Sequence, residues 1–160
     1  METTKNKTTL LIMAAGMGSR FGSLKQLALL GPHKKTLLHY SIYDAVHAGF
    51  DKIVFIIRRS FENEFKEAVG KYAESLVETV YCFQEMDQLP GNLPPIQREK
   101  PWGTAHAIWA AKDHIHEPFI AINADDFYGR DAFVKMHDFV ASNTDERCFS
   151  LAGYRLAATL

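Results

Sequence analysis

The chain has 160 residues, of which 47% are hydrophobic and 23% charged, and 18 basic against 19 acidic side chains leave a formal charge of −1. That length supports one domain, residues 1–160, with a real core. The charge balance excludes the broad basic field of a nucleic-acid-binding protein, so any phosphate recognition has to be local. Cys82 and Cys148 form no CxxC pair, and the polar start "METTKNKTT" precedes too few apolar residues for a signal peptide or a membrane span. These features imply free thiols, a cytoplasmic location and no membrane partner.

In chain order, "TLLIMAA" (9–15) is an apolar run closed by glycine, as expected of a strand covered on both faces. "TLLHYSIYDAVHA" (36–48) has helical spacing, and Gly49 supplies a left-handed stop. "KIVFII" (52–57) reads as a second buried strand. The amphipathic segment 60–76 reads as a helix with Ser60 as N-cap, and "VETVYCFQ" (77–84) as a third strand. Residues 85–102 carry four prolines and Gly91, which makes them a long loop of the kind that often carries function. A helix over 103–115 capped by Thr104, a strand over 118–124, a helix over 129–142 and a fifth strand over 147–156 complete the series. His114 and His116 stand two apart, do not share a helix face, and read as surface residues rather than a metal site.

Strands alternating with helices imply an α/β fold, a mostly parallel sheet with helices on both faces. In such sheets ligands collect at the carboxyl ends of the strands, so the loops that matter are 15–25, 85–103 and 124–129.

The first of these, within "LIMAAGMGSRFGSLKQL", is either a plain turn after a buried strand or a loop built around a polyphosphate. The dinucleotide fingerprint GxGxxG fails because position 21 is Phe21, and the second strand ends in "IIRRS" instead of an acidic residue. Arg58 or Arg59 would suit a 2′-phosphate, which leaves an NADP-dependent oxidoreductase as a weak alternative. The Walker pattern fails for want of a Gly-Lys pair. What does match is a strand ending in "AAG", then GxG[ST]R, then a lysine. This resembles the nucleotidyltransferase family that joins a nucleoside triphosphate to a sugar 1-phosphate or a related phosphate. "KPWGTAHA" (100–107) and "INADDFYG" (122–129) resemble that family's second and third signatures, in the same order.

The resemblance covers nearly the whole chain. It implies a three-layer α/β/α, Rossmann-like sheet of the nucleotide-diphospho-sugar transferase type. The nucleotide site would comprise Ala14, Ala15, Gly16, Met17, Gly18 and Ser19, whose small residues let backbone N–H groups approach phosphate oxygens. Arg20 would fork onto the outer phosphates and Lys25 would act as a compact charge at the reacting one; these are the catalytic candidates. Gly103 and Thr104 would contact the base. Asp125 would hold Mg2+, with Asp126 acting through a metal-bound water or as a cap for the next helix; a hard cation would relieve the repulsion of two adjacent carboxylates.

Four departures matter. Leu24 stands where the family usually has proline, and the short spacing from Arg20 to Lys25 is similar to that of the molybdenum-cofactor nucleotidyltransferases. The base-reading glutamine of sugar relatives falls by counting at Arg98, with Gln97 one position off, which leaves the base open. Family members are also longer, so the chain is expected to be an N-terminal part without the acceptor-binding part, or else a short variant that lacks half its acceptor site. The expected partners are a nucleoside triphosphate and a sugar phosphate or similar small phosphate, and an oligomer is compatible with the sequence. Transfer to a non-sugar phosphate, or nucleotide binding without catalysis, are the alternatives.

Overall fold

The computed structural model describes residues 7–16, 29–30, 32, 35–91, 102–143, 145, 147–155 and 157. Its main sheet has four parallel strands: β1 (Thr9–Met13), β4 (Lys52–Ile57), β5 (Glu78–Phe83) and β6 (Phe119–Asn123), in the order β5-β4-β1-β6. The central strands β1 and β4 are covered on both sides, which is why their sequences are unbroken apolar runs. Two two-residue strands, β2 (Leu29–Leu30) and β3 (Lys35–Thr36), make a small antiparallel pair that hydrophobic periodicity does not announce.

Alternate residues of β1 feed two cores. Leu10, Ile12 and Ala14 face α1 (Leu37–Ala48), the helical segment after β4, and α5 (Arg130–Ser142) through Leu38, Ile42, Phe65, Val69, Phe133 and Val140. Leu11 and Ala15 face the other way, onto Ala107 and Ala111, with Ala107 in α4 (Thr104–Trp109). Helices therefore lie on both faces, as the alternation of elements implies.

The helix over 36–48 forms as expected, with Thr36 at its N-cap and Gly49 at φ 113° closing it. Other boundaries differ. Ser60 caps nothing: it lies inside a 3₁₀ turn (Arg59–Phe61) that leads into α2 (Glu62–Phe65), a π-helical stretch (Lys66–Gly70) and α3 (Lys71–Glu74). The wide turn brings Gly70 against the Tyr81 hydroxyl of β5, where a Cβ would sit 2.2 Å from that oxygen. Thr104 is the first helical residue, and Gly103 holds the N-cap position. The helix also ends sooner, at Trp109, and tightens into i→i−3 turns through His114. The expected fifth strand is absent among the described residues of 147–155; Phe149 and Leu151 are 89% and 96% exposed. An apolar run becomes a strand only where a neighbouring edge takes its backbone bonds, and here the Tyr154 hydroxyl instead donates to the Tyr128 carbonyl at 2.9 Å.

Candidate functional site

The strand order creates a switch point. From β1 the chain moves outward through β4 and β5, then returns to lay β6 on the opposite side of β1. The segments that leave β1 and β6 therefore diverge, and a crevice opens outside their carboxyl ends. The Ala14 N–H donates to the Ile56 carbonyl at 2.7 Å and the Ala124 N–H to the Met13 carbonyl at 3.1 Å, so the sheet holds both segments one residue past their strands. Ala14-Ala15-Gly16 and Asp125-Asp126 then leave side by side. Ala14 and Ala15 are buried in opposite cores, and their small side chains let both helical layers close under the crevice.

At the end of β4, Arg58 donates through Nε to the Ala15 carbonyl at 3.1 Å. The Arg59 guanidinium lies 4.0 Å from the Phe83 ring centre, a cation–π contact, and its backbone N–H binds Glu85 Oε1 at 3.1 Å. These engagements anchor the strand ends.

Asp125 and Asp126 are both exposed. Asp126 Oδ2 accepts from Asn123 Nδ2 at 2.8 Å and from the Tyr128 hydroxyl at 3.4 Å, while that hydroxyl accepts the Asn123 N–H at 2.9 Å. Asp126 thus ties the turn together, and it does not cap α5, whose N-cap is Gly129 at φ 77°. Burial, opposed in part by the Asn123 N–H and supported by the Asp126 charge, raises the Tyr128 phenol above its usual range. Among the described residues no three His, Cys, Asp or Glu side chains gather as a metal cage. Magnesium does not demand one: it is commonly held by one or two carboxylates, with phosphate and water completing the shell. The oxygen donor of Asp125 fits such a partial site.

On the other flank, Gly103 opens α4. A Cβ there would meet no atom of the described residues within 4 Å. Gln84, one residue past β5 and 7% exposed, donates through Nε2 to the Trp102 carbonyl at 2.9 Å and lies 3.3 Å from that of Gly103. Trp102 Nε1 donates to the Met86 carbonyl at 3.0 Å. Motif reading missed Gln84; its signal was a buried polar residue directly after the apolar run Val80–Phe83. Along the carboxyl edge the order is therefore Gln84 with Gly103 beyond β5, Arg58 beyond β4, Ala14–Gly16 beyond β1 and Asp125 beyond β6. Met17, Gly18, Ser19, Arg20 and Lys25 lie outside the described residues, as do Leu24, Gln97 and Arg98.

Comparison with known proteins bears on the same segments. The family model described as nucleotidyl transferase matches residues 9–156. The UTP–glucose-1-phosphate uridylyltransferase of Bacillus subtilis (strain 168) is 28% identical over 130 residues, covering 72% of this chain and 43% of that protein. The bifunctional protein GlmU of Staphylococcus haemolyticus (strain JCSC1435) is 30% identical over 107 residues, covering 67% of this chain and 19% of its own length. A crystal structure of UDP-glucose pyrophosphorylase complexed with UDP-glucose superimposes with a TM-score of 0.56 at 22% identity, over 83% of this chain and 53% of that one. The chain thus spans less than half of these two curated relatives and about half of that solved one, and the structural match establishes the fold.

Proposed function

The chain belongs to the nucleotidyl transferase family, and from that premise we propose that it binds a nucleoside triphosphate along the carboxyl edge of its sheet and transfers the nucleotidyl group to a sugar 1-phosphate. One observation carries this reading: the root of the glycine segment and the Asp125 carboxylate leave adjacent parallel strands at the switch point. From Gly103 beyond β5 to Asp125 beyond β6 the edge crosses three strand spacings, about 14 Å in all at the usual interstrand distance. That length suits an extended nucleotide with its base at Gly103 and Thr104 and its phosphates at Ala14, Ala15 and Gly16.

In the reaction, an oxygen of the acceptor phosphate attacks the α-phosphorus in line. The new P–O bond forms as the bond to the β-phosphate oxygen breaks, and pyrophosphate leaves with that electron pair. The acceptor is already an anion near neutral pH, so no side-chain nucleophile is needed, and positioning and charge neutralisation do the catalysis. Arg20 and the amides of Met17, Gly18 and Ser19 would take the outer phosphates and steady the departing pyrophosphate. Lys25 would offset charge at the α-phosphate. Asp125 would hold Mg2+, which when bound supplies Lewis-acid neutralisation at the same phosphate.

The test is calorimetric titration of the 160-residue chain with UTP, dTTP, CTP and GTP, with and without MgCl2, followed by a pyrophosphate-release assay with glucose 1-phosphate as the first acceptor. Tight binding of one triphosphate in a Mg2+-dependent manner supports the reading. Triphosphate binding without pyrophosphate release in the presence of any sugar 1-phosphate would favour a nucleotide-binding module, and absence of triphosphate binding overturns both.

A further inference from the structure

Gln84 is joined to His106, which lies inside the segment "KPWGTAHA" but to which the sequence reading gave no role. His106 Nδ1 lies 3.3 Å from Gln84 Nε2, and His106 Nε2 lies within hydrogen-bond reach of the Gln88 carbonyl. The hydrogen positions follow from what each partner can do. The Trp102 and Gly103 carbonyls only accept, so the Gln84 amide must present its NH2 group to them. That group has two hydrogens. One serves Trp102. The Gly103 carbonyl already receives the N–H groups of His106 and Ala107 at 3.1 and 3.2 Å, so the second hydrogen is best used on His106 Nδ1. Nδ1 is then an acceptor. The imidazole proton consequently sits on Nε2 and donates to the Gln88 carbonyl. The other tautomer would set two donors face to face at Gln84 and two lone pairs face to face at Gln88.

From this chain of donors we infer that Gln84 and neutral, Nε2-protonated His106 are positioning residues that clasp the 84–91 loop to the start of α4 and hold Gly103 and Thr104 where the base is received. The Trp102 indole adds a second strap to the same loop through the Met86 carbonyl. The second half of the inference rests on the proposed nucleotide site; the hydrogen-bond assignment does not.

Two measurements test it separately. Ring-15N NMR of the 15N-labelled 160-residue chain near pH 8 should show His106 as a single Nε2–H tautomer. An Nδ1–H tautomer, or the averaged shifts of a freely exchanging ring, overturns the clasp whatever the protein binds. The second measurement compares a nucleoside triphosphate with inorganic tripolyphosphate, read by the fluorescence of Trp102 and Trp109, the chain's two tryptophans, whose rings lie 6.0 and 5.5 Å from that of His106. His106→Ala and Gln84→Leu should weaken the triphosphate about tenfold and leave tripolyphosphate unchanged. His106→Gln, whose amide reaches as far as Nε2, should recover most of the loss. Equal weakening of both ligands, or no change in either, overturns the positioning role. If the unaltered chain binds no nucleoside triphosphate, the proposed function fails and takes the base-positioning half with it, while the NMR result still decides the clasp.

Discussion

Arg58 and Ala15 are joined by a hydrogen bond from the guanidinium Nε to the main-chain carbonyl, at 3.1 Å, across the ends of two neighbouring strands. A trans peptide points its C=O and the following N–H in opposite directions, so this bond fixes the plane through which β1 passes into the glycine segment. A hydrogen bond from a charged donor contributes about 1.5–3 kcal/mol. If the plane it sets is one that phosphates bind to, Arg58→Ala should weaken nucleoside triphosphate binding by roughly tenfold or more, with an unchanged far-ultraviolet circular dichroism spectrum. Calorimetric affinities within a factor of two of the parent would remove Arg58 from the site.

The two adjacent aspartates should separate by role. Asp125→Asn is expected to abolish the Mg2+-dependent increment in triphosphate affinity. Asp126→Asn should keep that increment: it weakens the ties to Asn123 and Tyr128, and a loss of about 1 kcal/mol should appear in denaturant titrations. Identical behaviour of the two variants in both assays would refute this division.

At the far end of the sheet, Lys52 of β4 is buried and its ammonium binds Glu117 Oε1 at 2.9 Å and the His114 carbonyl. Burial alone would raise the Glu117 pKa. The Thr9 hydroxyl, the Lys52 ammonium and the His116 N–H outweigh it and bring the carboxyl from 4.5 down to about 2. A depressed folded-state value means the stabilisation is present above the unfolded pKa, fades as pH falls below about 4.5 and is gone below about 2. The full amount is on the order of 3 kcal/mol. Urea denaturation at pH 7, 4 and 3 should show Glu117→Gln less stable than the parent at pH 7, with the gap narrowing on acidification. A gap independent of pH would mean that the ionised carboxylate contributes nothing.

Gly70 and Tyr81 make a steric prediction. A methyl group at position 70 would lie 2.2 Å from the Tyr81 hydroxyl oxygen and 3.2 Å from Cζ. Alanine is the better helix former by about 1 kcal/mol, yet Gly70→Ala should destabilise by about 1–3 kcal/mol because the Tyr81 side chain or the helix must shift to relieve the contact. Adding Tyr81→Phe deletes the opposing oxygen and should restore most of the lost stability, at the expense of the exposed bond to Glu74. A thermal-denaturation cycle in which the two changes are additive would rule the clash out.

Much of the fold was legible before any coordinates. The apolar runs of β1 and β4 and the Gly49 stop of α1 depend on local chemistry, and they appear within a residue or two of where periodicity puts them. The misreadings share one cause. Ser60, Thr104 and Asp126 have the right chemistry for caps, but a cap is chosen by the direction in which the chain enters the helix, and that direction is set by packing. Residues 147–155 have the composition of a strand, yet strand formation requires a neighbouring edge that composition does not supply.

By itself the sequence determined the class of the fold, the family resemblance and the segments in which ligand chemistry would lie, because glycine bareness, carboxylate charge and apolar periodicity are properties of single residues and short spacings. Only the tertiary structure decided that β6 returns to the far side of β1, which sets Asp125 beside the root of the glycine segment, and that Gln84 and His106 close on one another. Those relations join residues more than a hundred and about twenty positions apart. They follow from strand order and from which donor meets which acceptor, neither of which any short stretch of sequence contains.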